Sequence, residues 1–409
     1  MKPMGPIPEG FAADADGRLV IGGTDVETLA AHAGDTPLFV YDFARIAARI
    51  ARFRAAFPKA VALHYAIKAN PMPALVAAMA PLVDGLDVAS VGEMGLALAT
   101  GSAHVSFAGP GKRDRELEGA IAAGVTINLE SEGEAARALA IAGRAGQVPK
   151  LAVRVNPDFD LRGSGMRMGG GAKPFGVDAE RAAALVRSLI DAGADWRGFH
   201  IFAGSQALDG DAIAEMQQQT LGLAARLADE IGAVPPLVNL GGGFGIPYFP
   251  KDRPVDLERV GQSLAVQLDA LPAGLAGARF AIELGRYLVG EAGVYLARIV
   301  DRKTSHGELF LVTDGGLHHQ LAASGNFGTV VRRNYPVAIA SRFDAEPQEV
   351  ATIVGCLCTP LDRLADAVMV PHAEVGDLVA VFMAGAYGRS ASPEGFLGHP
   401  APRELLVNG

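Results

Sequence analysis

Short apolar runs alternate with alanine- and leucine-rich stretches between residues 61 and 284, and this alternation constrains the fold more than any other feature. The apolar runs predict buried strands, and the stretches between them have the spacing of helices. Strands that alternate with helices form parallel βαβ units, and eight such units match the size of a (β/α)₈ TIM barrel. Periodicity leaves an open doubly wound sheet as the alternative. The predicted strands are Val61–Ala69, Leu86–Ala89, His104–Ala108, Val125–Leu129, Leu151–Val155, Gly198–Phe202, Leu237–Leu240 and Arg279–Leu284.

The pattern changes after Arg286, where strand-like runs follow one another with few helical stretches between them. We therefore predict a barrel over residues 43–288 and a mainly β domain over residues 289–409. Residues 1–42 contain an extended lead-in and the strand Pro37–Asp42, and we expect this segment to join the β domain. The C-terminal strands are predicted at Val289–Ile299, Glu308–Val312, Val337–Ala340, Glu349–Val354 and Leu378–Met383.

Charge and cysteine content narrow the class of protein. The net charge of −9 and the lack of a basic stripe argue against a nucleic-acid-binding protein. We see neither a signal peptide nor an apolar stretch long enough to cross a membrane, so we expect no membrane partner. Cys356 and Cys358 lie one residue apart, which is poor spacing for a disulfide and no zinc motif on its own. We therefore expect a cytoplasmic protein and no metal.

Polar residues recur where the predicted barrel strands end. In a (β/α)₈ barrel these ends form the active-site face. A lysine at the end of a buried strand has a lowered pKa and becomes a better nucleophile, as Schiff-base chemistry requires. Each residue alone has an ordinary structural explanation, such as a helix cap or an ion pair, but the set together predicts a site. The residues are Lys68, Asp87, Glu93, Arg154, Asn156, His200, Ser205, Gln206, Glu283, Gly285 and Arg286.

The glycine run that follows the seventh strand suggests where an anion would bind. Glycines stand at 241, 242, 243 and 245, and Pro247 and Pro250 follow. The spacing does not fit a dinucleotide fingerprint. A glycine-rich loop after strand seven, next to the strand-eight loop with Arg286, instead fits the usual phosphate site of this barrel.

Nine motifs carry a resemblance that covers most of the chain in one order. The chain resembles the fold-type III pyridoxal-phosphate (PLP) decarboxylases, the diaminopimelate, ornithine and arginine decarboxylase superfamily. This resemblance implies an alanine racemase-like barrel with a β domain, PLP as cofactor, and a homodimer with shared active sites. The motifs are YAIKAN (65–70), LDVAS (86–90), RVNP (154–157), KPFGVD (173–178), HIFAGSQ (200–206), NLGGGFG (239–245), ELGR (283–286), GCLCTPLD (355–362) and GAYG (385–388).

The resemblance also implies a role for each matching residue. Lys68 would hold PLP, Glu283 would pair with its pyridine nitrogen, and His200 would stack on its ring. Cys358 would reach the site of the partner subunit and help to protonate the product. The phosphate would be bound by Ser205, Gly243, Gly285, Arg286 and Tyr387, and the predicted cofactor-binding set is completed by Asp87, Arg154 and Gly242.

Thr359 departs from the pattern of the superfamily, in which an acidic residue usually follows the cysteine and binds the distal amine of the substrate. A neutral residue cannot make that charge-assisted hydrogen bond. The motifs HIFAGSQ (200–206) and CTPLD (358–362) are most similar to those of one branch of the superfamily, which is linked to secondary metabolism and exopolysaccharide clusters. We therefore predict a decarboxylase of an amino acid or of an aminoacyl group on an acyl carrier protein, with Thr359 and Asp362 as substrate residues. The alternatives are diaminopimelate decarboxylase and a PLP-binding racemase or cofactor carrier without decarboxylase activity.

Overall fold

A parallel barrel forms one part of the molecule. The structure, a computed structural model, describes residues 1–163, 165–325 and 332–409. Within these residues eight parallel strands close a ring, because Lys150–Asn156 pairs with both the fourth and the sixth strand. The predicted barrel is therefore confirmed, and the open sheet is excluded. In chain order the strands are Val61–Ala66, Gly85–Val88, Val105–Phe107, Thr126–Leu129, Lys150–Asn156, Asp195–Ile201, Leu237–Gly242 and Arg279–Leu284.

Helices follow the barrel strands, and their first turns explain where they begin. Ser90 and Ser131 each accept a hydrogen bond from the backbone N–H of a glutamate three residues later, which satisfies a donor that the helix itself cannot. In the described part of the chain no helix is long and apolar enough to cross a membrane. Phe43–Ala56 precedes the first barrel strand, and the helices that follow the strands are Pro73–Met79, Val91–Ala99, Asp114–Ala122, Glu132–Ala145, Ala179–Asp191, Gly210–Ile231, Leu257–Asp269 and Arg286–Val289.

The first barrel strand ends earlier than predicted. It stops at Ala66, and Ile67–Ala69 forms a short 3₁₀ turn. The backbone carbonyl oxygen of the buried Asn70 accepts a hydrogen bond from the Tyr65 hydroxyl at 2.8 Å, and this bond connects the end of the turn to the strand. The turn places Lys68 just beyond the carboxyl end of the strand.

A mixed sheet forms the core of the β part of the chain. The long strand Gly293–Ser305 is its centre and pairs antiparallel with Leu38–Asp42, as expected for the N-terminal segment. Arg363–Val370 and Arg403–Val407 also belong to this sheet, and neither strand is predicted from the sequence. The remaining strands are Glu308–Thr313, Val337–Ile339, Glu349–Val354 and Leu378–Val381.

The N-terminal segment is more structured than an extended lead-in. Short strands at Ala12–Ala13, Leu19–Ile21 and Thr24–Asp25 precede the helix Val26–Ala33. The Asp25 carboxylate accepts hydrogen bonds from two backbone N–H groups at the start of this helix. The sequence pattern of residues 1–36 predicts no helix, so Val26–Ala33 corrects that prediction.

Contacts along the chain divide it into two compact units. The barrel unit comprises Arg49–Gly245 and Pro254–Gly285, and the β unit comprises Met1–Ala48, Ile246–Arg253 and Arg286–Gly409. The segment Ile246–Arg253 therefore groups with the β unit although it follows the seventh barrel strand. The domain limits of 43–288 and 289–409 stay a prediction.

Candidate active site

Lys68 lies in the turn after the first barrel strand and points to a carboxylate of the eighth. Its Nζ is 3.5 Å from Glu283 Oε1 and 5.6 Å from the centre of the Phe202 ring. The side chain is 45% exposed, so the expectation of a desolvated lysine is wrong for this structure. An amine that is both accessible and held by a carboxylate is suited to bind an aldehyde cofactor.

Glu283 is the buried centre of this group of side chains. Its Oε2 lies 3.0 Å from His200 Nε2, and both residues are almost fully buried. Burial alone would raise the pKa of the Glu283 carboxyl, but Lys68 and the hydrogen bond with His200 outweigh it and hold this pKa well below its usual range. Glu283 is therefore a fixed negative charge inside the barrel.

Asp87 lies at the end of the second strand but contacts different partners. Its carboxylate accepts a short hydrogen bond from Ser106 Oγ, and Oδ1 lies 3.4 Å from His64 Nδ1. Burial would lower the pKa of His64, and the charge of Asp87 raises it instead. The structure thus gives Asp87 a buried partner that sequence reasoning did not name.

Arg154 is held by a buried ion pair that the sequence analysis missed. Its Nη1 donates to Glu130 Oε1 at 2.8 Å, and the Phe175 ring centre lies 5.0 Å from its guanidinium carbon. Glu130 also accepts hydrogen bonds from the backbone N–H groups of Gly109 and Gly176. Glu130 directly follows the fourth strand, so the strand-end argument applied to that strand would have found it.

Lys112 extends this network below the surface of the barrel. It is 4% exposed and donates to the carbonyl oxygens of Gly109 and Asn128 and to Glu134 Oε1. Burial is the main reason that the pKa of Lys112 is lowered, although two glutamates oppose that effect. All three N–H donors of Lys112 are used, so this residue stabilises the loops after the third and fourth strands and is not available as a nucleophile.

The predicted phosphate-binding glycines are also needed for packing. A Cβ on Gly242 would lie 1.9 Å from the carbonyl oxygen of Glu283, and one on Gly243 would lie 2.1 Å from that of Gly204. Gly285 similarly approaches Ala69, in the turn that carries Lys68. Ser205, half-buried, lies in the short strand Gly204–Ser205 that pairs with Met166–Arg167. The glycines therefore let strands meet closely, and this requirement exists whether or not an anion binds.

Arg286 and Tyr387 meet within the β unit. The guanidinium carbon of Arg286 lies 4.7 Å from the centre of the Tyr387 ring, and its Nη1 donates to the Tyr248 hydroxyl at 2.8 Å. The Nε atom of Arg286 is buried and has no hydrogen-bond partner among the described residues. An orphaned guanidinium donor of this kind fits a phosphate oxygen.

Cys358 and Thr359 lie in an exposed turn of the β unit, between Glu349–Val354 and Arg363–Val370. Cys358 is a free, exposed thiol, and Thr359 is half-buried. Asp362 differs from them because it is 2% exposed. Its two carboxylate oxygens accept hydrogen bonds from the backbone N–H groups of Leu317 and Leu357. This position favours a role in holding the turn, and a role in substrate binding stays a prediction for Thr359 and Asp362.

A separate cavity of about 400 Å³ opens at the other end of the barrel. Residues at the beginnings of the strands line it, among them Ala62, Val105, Lys150 and Arg279. The predicted active-site residues follow the strand ends instead. This cavity is therefore distinct from the group around Glu283.

Comparison with known proteins decides the family. Residues 43–290 match the family model described as "Pyridoxal-dependent decarboxylase, pyridoxal binding domain". The chain belongs to this family. This decarboxylase is 37% identical to the "L-glutamyl-[BtrI acyl-carrier protein] decarboxylase" of Niallia circulans over 91% of its own length and 89% of that of the relative. It is also 31% identical to a diaminopimelate decarboxylase of Methanothermobacter thermautotrophicus, over 96% and 91% of the two chains.

Solved structures agree with the fold of the decarboxylase. A crystal structure of diaminopimelate decarboxylase from M. jannaschii superimposes with a TM-score of 0.88 and 25% identity, over 97% of this chain and 92% of the other. The family membership predicted from the nine motifs is thus confirmed, and so is PLP as the cofactor. The side chains of the barrel unit fit PLP, because they offer an accessible amine and, 3.5 Å from it, a charged buried carboxylate.

Proposed function

We propose that this PLP-dependent enzyme decarboxylates an amino acid whose distal end is neutral, as in a glutamyl group carried on an acyl carrier protein. The observation that carries the proposal is Thr359, which directly follows the exposed Cys358. A substrate with a free distal ammonium would find no charge at this position. The relative at 37% identity, which is named for a glutamyl group on an acyl carrier protein, supports the same substrate class.

The chemistry divides between the cofactor and the protein. PLP, when bound, supplies an electron sink for the electron pair left when the bond to the departing CO₂ breaks. We assign the binding of the cofactor to Lys68, the pairing with its ring nitrogen to Glu283, and the packing on its ring to His200. The phosphate is assigned to Arg286 and Tyr387, together with Ser205, Gly242, Gly243 and Gly285. We assign to the Cys358 thiol the proton that replaces CO₂ at the substrate carbon.

Diaminopimelate decarboxylation is the second candidate. Relatives with this name are 31% and 32% identical over nearly the whole chain, which is close enough to support the same activity. Thr359 argues against it, and Asp362 is a poor replacement because its carboxylate is 2% exposed and is held inside the turn by two backbone N–H groups. A racemase or a cofactor carrier has less support, since the matching family and the relatives named above are decarboxylases.

We further propose a homodimer in which each active site uses Cys358 of the partner chain. An exposed thiol assigned to a proton transfer must be covered by some surface during catalysis, because water would otherwise compete for the carbanion. Two free thiols also agree with a reducing compartment, and we propose the cytoplasm.

Mixing two inactive variants tests the shared site. Lys68→Ala and Cys358→Ala should each be inactive or weak, and after subunit exchange the mixture should recover about one quarter of the normal activity. The reason is that half of the exchanged dimers are mixed, and each of these holds one site with both residues intact. The measurement is CO₂ release before and after exchange, with exchange followed by differently tagged chains. Complete exchange without recovery would place Lys68 and Cys358 of one site on the same chain.

Replacement of Thr359 tests the substrate class. Thr359→Asp should raise kcat/KM for free ornithine by about 10- to 100-fold, because a charge-assisted hydrogen bond contributes about 1.5–3 kcal/mol. Thr359→Asn, which is polar but neutral, is the matched control and should leave the preference unchanged. Efficient turnover of ornithine or diaminopimelate by the unmodified enzyme would contradict the assignment.

A further inference from the structure

Three potential metal ligands from distant parts of the chain meet in the β unit. His318 follows the strand Glu308–Thr313, Cys356 follows Glu349–Val354, and His399 precedes Arg403–Val407. One ligand atom from each lies within 4.8 Å of the other two. Cys356 Sγ is 3.8 Å from His399 Nδ1 and 3.9 Å from its Nε2.

The surroundings of His318 are a second reason, separate from the distances, to expect a ligand in this group. Its side chain is fully buried, and neither ring nitrogen has a hydrogen-bond partner among the residues that the structure describes. The adjacent His319 is different, because its ring nitrogens lie 3.0 Å from the Tyr295 hydroxyl and 3.1 Å from the carbonyl oxygen of Pro400. A buried polar group without a partner destabilises the folded chain, so a fully buried imidazole whose two nitrogens have no partner among the described residues favours a bound ligand.

Burial has opposite consequences for metal binding at these two groups, because it keeps the His318 ring neutral and keeps the Cys356 thiol protonated. Burial is the main reason that the pKa of His318 falls to about 4, so the ring is neutral and carries a free lone pair at neutral pH. Burial also raises the pKa of the Cys356 thiol to about 11. The thiol must therefore lose its proton to solvent when the metal–sulfur bond forms, as is general for cysteine ligands.

We propose that His318, Cys356 and His399 bind one Zn²⁺ ion per chain. Two imidazoles and one thiolate are a ligand set that zinc accepts, with a fourth position left for water. Bond lengths of about 2.0–2.3 Å to zinc require the ligand atoms to approach one another more closely than they do here. His399 can supply that movement, since it is half-buried and belongs to a short irregular segment at the surface.

A bound ion would fix the turn that carries Cys358. Cys356 lies two residues before Cys358 and three before Thr359. Zinc would tie the beginning of this turn to two other segments of the β unit through His318 and His399. The proposal does not depend on the identity of the substrate.

Titration of the full-length, metal-free protein with Zn²⁺ against a chromophoric chelator tests the site. We expect one ion per chain, and we expect Cys356→Ser and His399→Gln to weaken binding by about 100-fold or more, since even the loss of an outer-shell partner costs about 10- to 100-fold. Both residues are half-buried, so these variants should fold. Cys358→Ala and His372→Ala are the matched controls, and they should bind zinc as the unmodified protein does.

Substitution with Co²⁺ gives a second readout that identifies the sulfur ligand. The cobalt protein should show a thiolate-to-metal absorption band that disappears in Cys356→Ser and persists in Cys358→Ala. Absence of stoichiometric zinc binding would overturn the proposal. Binding that survives Cys356→Ser, or that is lost equally in Cys358→Ala, would overturn it as well, because the ion would then lie elsewhere.

Discussion

Replacement of Lys68 by alanine is expected to lower kcat by at least about 1,000-fold and to abolish retention of PLP. Lys68 is the amine that we assign to the cofactor, and it stands 3.5 Å from the buried Glu283. Proton transfer by a positioned side chain alone accelerates a reaction by about 10²- to 10⁴-fold, and this variant loses cofactor binding in addition. The measurement is the kcat of purified protein, together with the PLP content after extensive dialysis.

Lys59→Ala is the matched control for this variant. Lys59 is exposed and precedes the first barrel strand, whereas Lys68 follows it, so the control removes a lysine from the opposite end of the same strand. Its kcat and PLP content should be normal. Reduction with borohydride should fix the cofactor on Lys68 of the unmodified protein. A label that maps to the buried Lys112 or to another lysine would refute the assignment.

Replacement of Glu283 by glutamine should reduce kcat by about 10²- to 10³-fold while PLP stays bound. Glutamine keeps the shape of the side chain and removes the charge that we assign to the ring nitrogen of the cofactor. Preorganised electrostatic groups of this kind contribute about 3–4 kcal/mol to the stability of the transition state. Because the pKa of Glu283 is held well below its usual range, the unmodified carboxylate is charged at every working pH. Glutamine does not ionise, so a higher pH should not restore the activity of the variant.

The absorption spectrum of the bound cofactor separates an electrostatic role of Glu283 from a structural one. The glutamine variant should retain a full complement of PLP with an altered spectrum, because the ring nitrogen loses its charged partner. Glu132→Gln, which changes an exposed glutamate on a barrel helix, is the control and should change neither kcat nor the spectrum. An unchanged kcat in Glu283→Gln would mean that another group charges the ring.

The barrel could be predicted from the sequence because its strands are covered on both faces and therefore read as apolar runs. The strand Arg363–Val370 escaped prediction, since Arg363 and Asp366 interrupt its apolar residues and form an ion pair with each other at 3.0 Å. Arg403–Val407 was missed for a similar reason, because it is a short strand that begins with two charged residues. The end of the first strand was placed three residues too late, because Ile67 and Ala69 are apolar and buried even though they lie in a turn.

The candidate site was predictable only where a residue follows a strand directly. Lys68, His200 and Glu283 meet as expected, because the carboxyl ends of parallel strands share one face of the barrel. Glu130 was missed although it follows the fourth strand, because the strand-end argument was not extended to that strand. The group of His318, Cys356 and His399 could not be found in this way, since its members are brought together by pairing between distant segments of the β unit.

The central claim is that the substrate of this decarboxylase has a neutral distal end. CO₂ release should be measured with a glutamyl group tethered to an acyl carrier protein, with free meso-diaminopimelate and with free ornithine, at equal enzyme concentration. We predict that kcat/KM is highest for the tethered glutamyl group. For both free diamines the activation free energy should be higher by several kcal/mol, in order of magnitude, because a distal ammonium would be buried beside the neutral Thr359. Equal or faster release of CO₂ from meso-diaminopimelate would contradict the claim and would assign the enzyme to diaminopimelate decarboxylation.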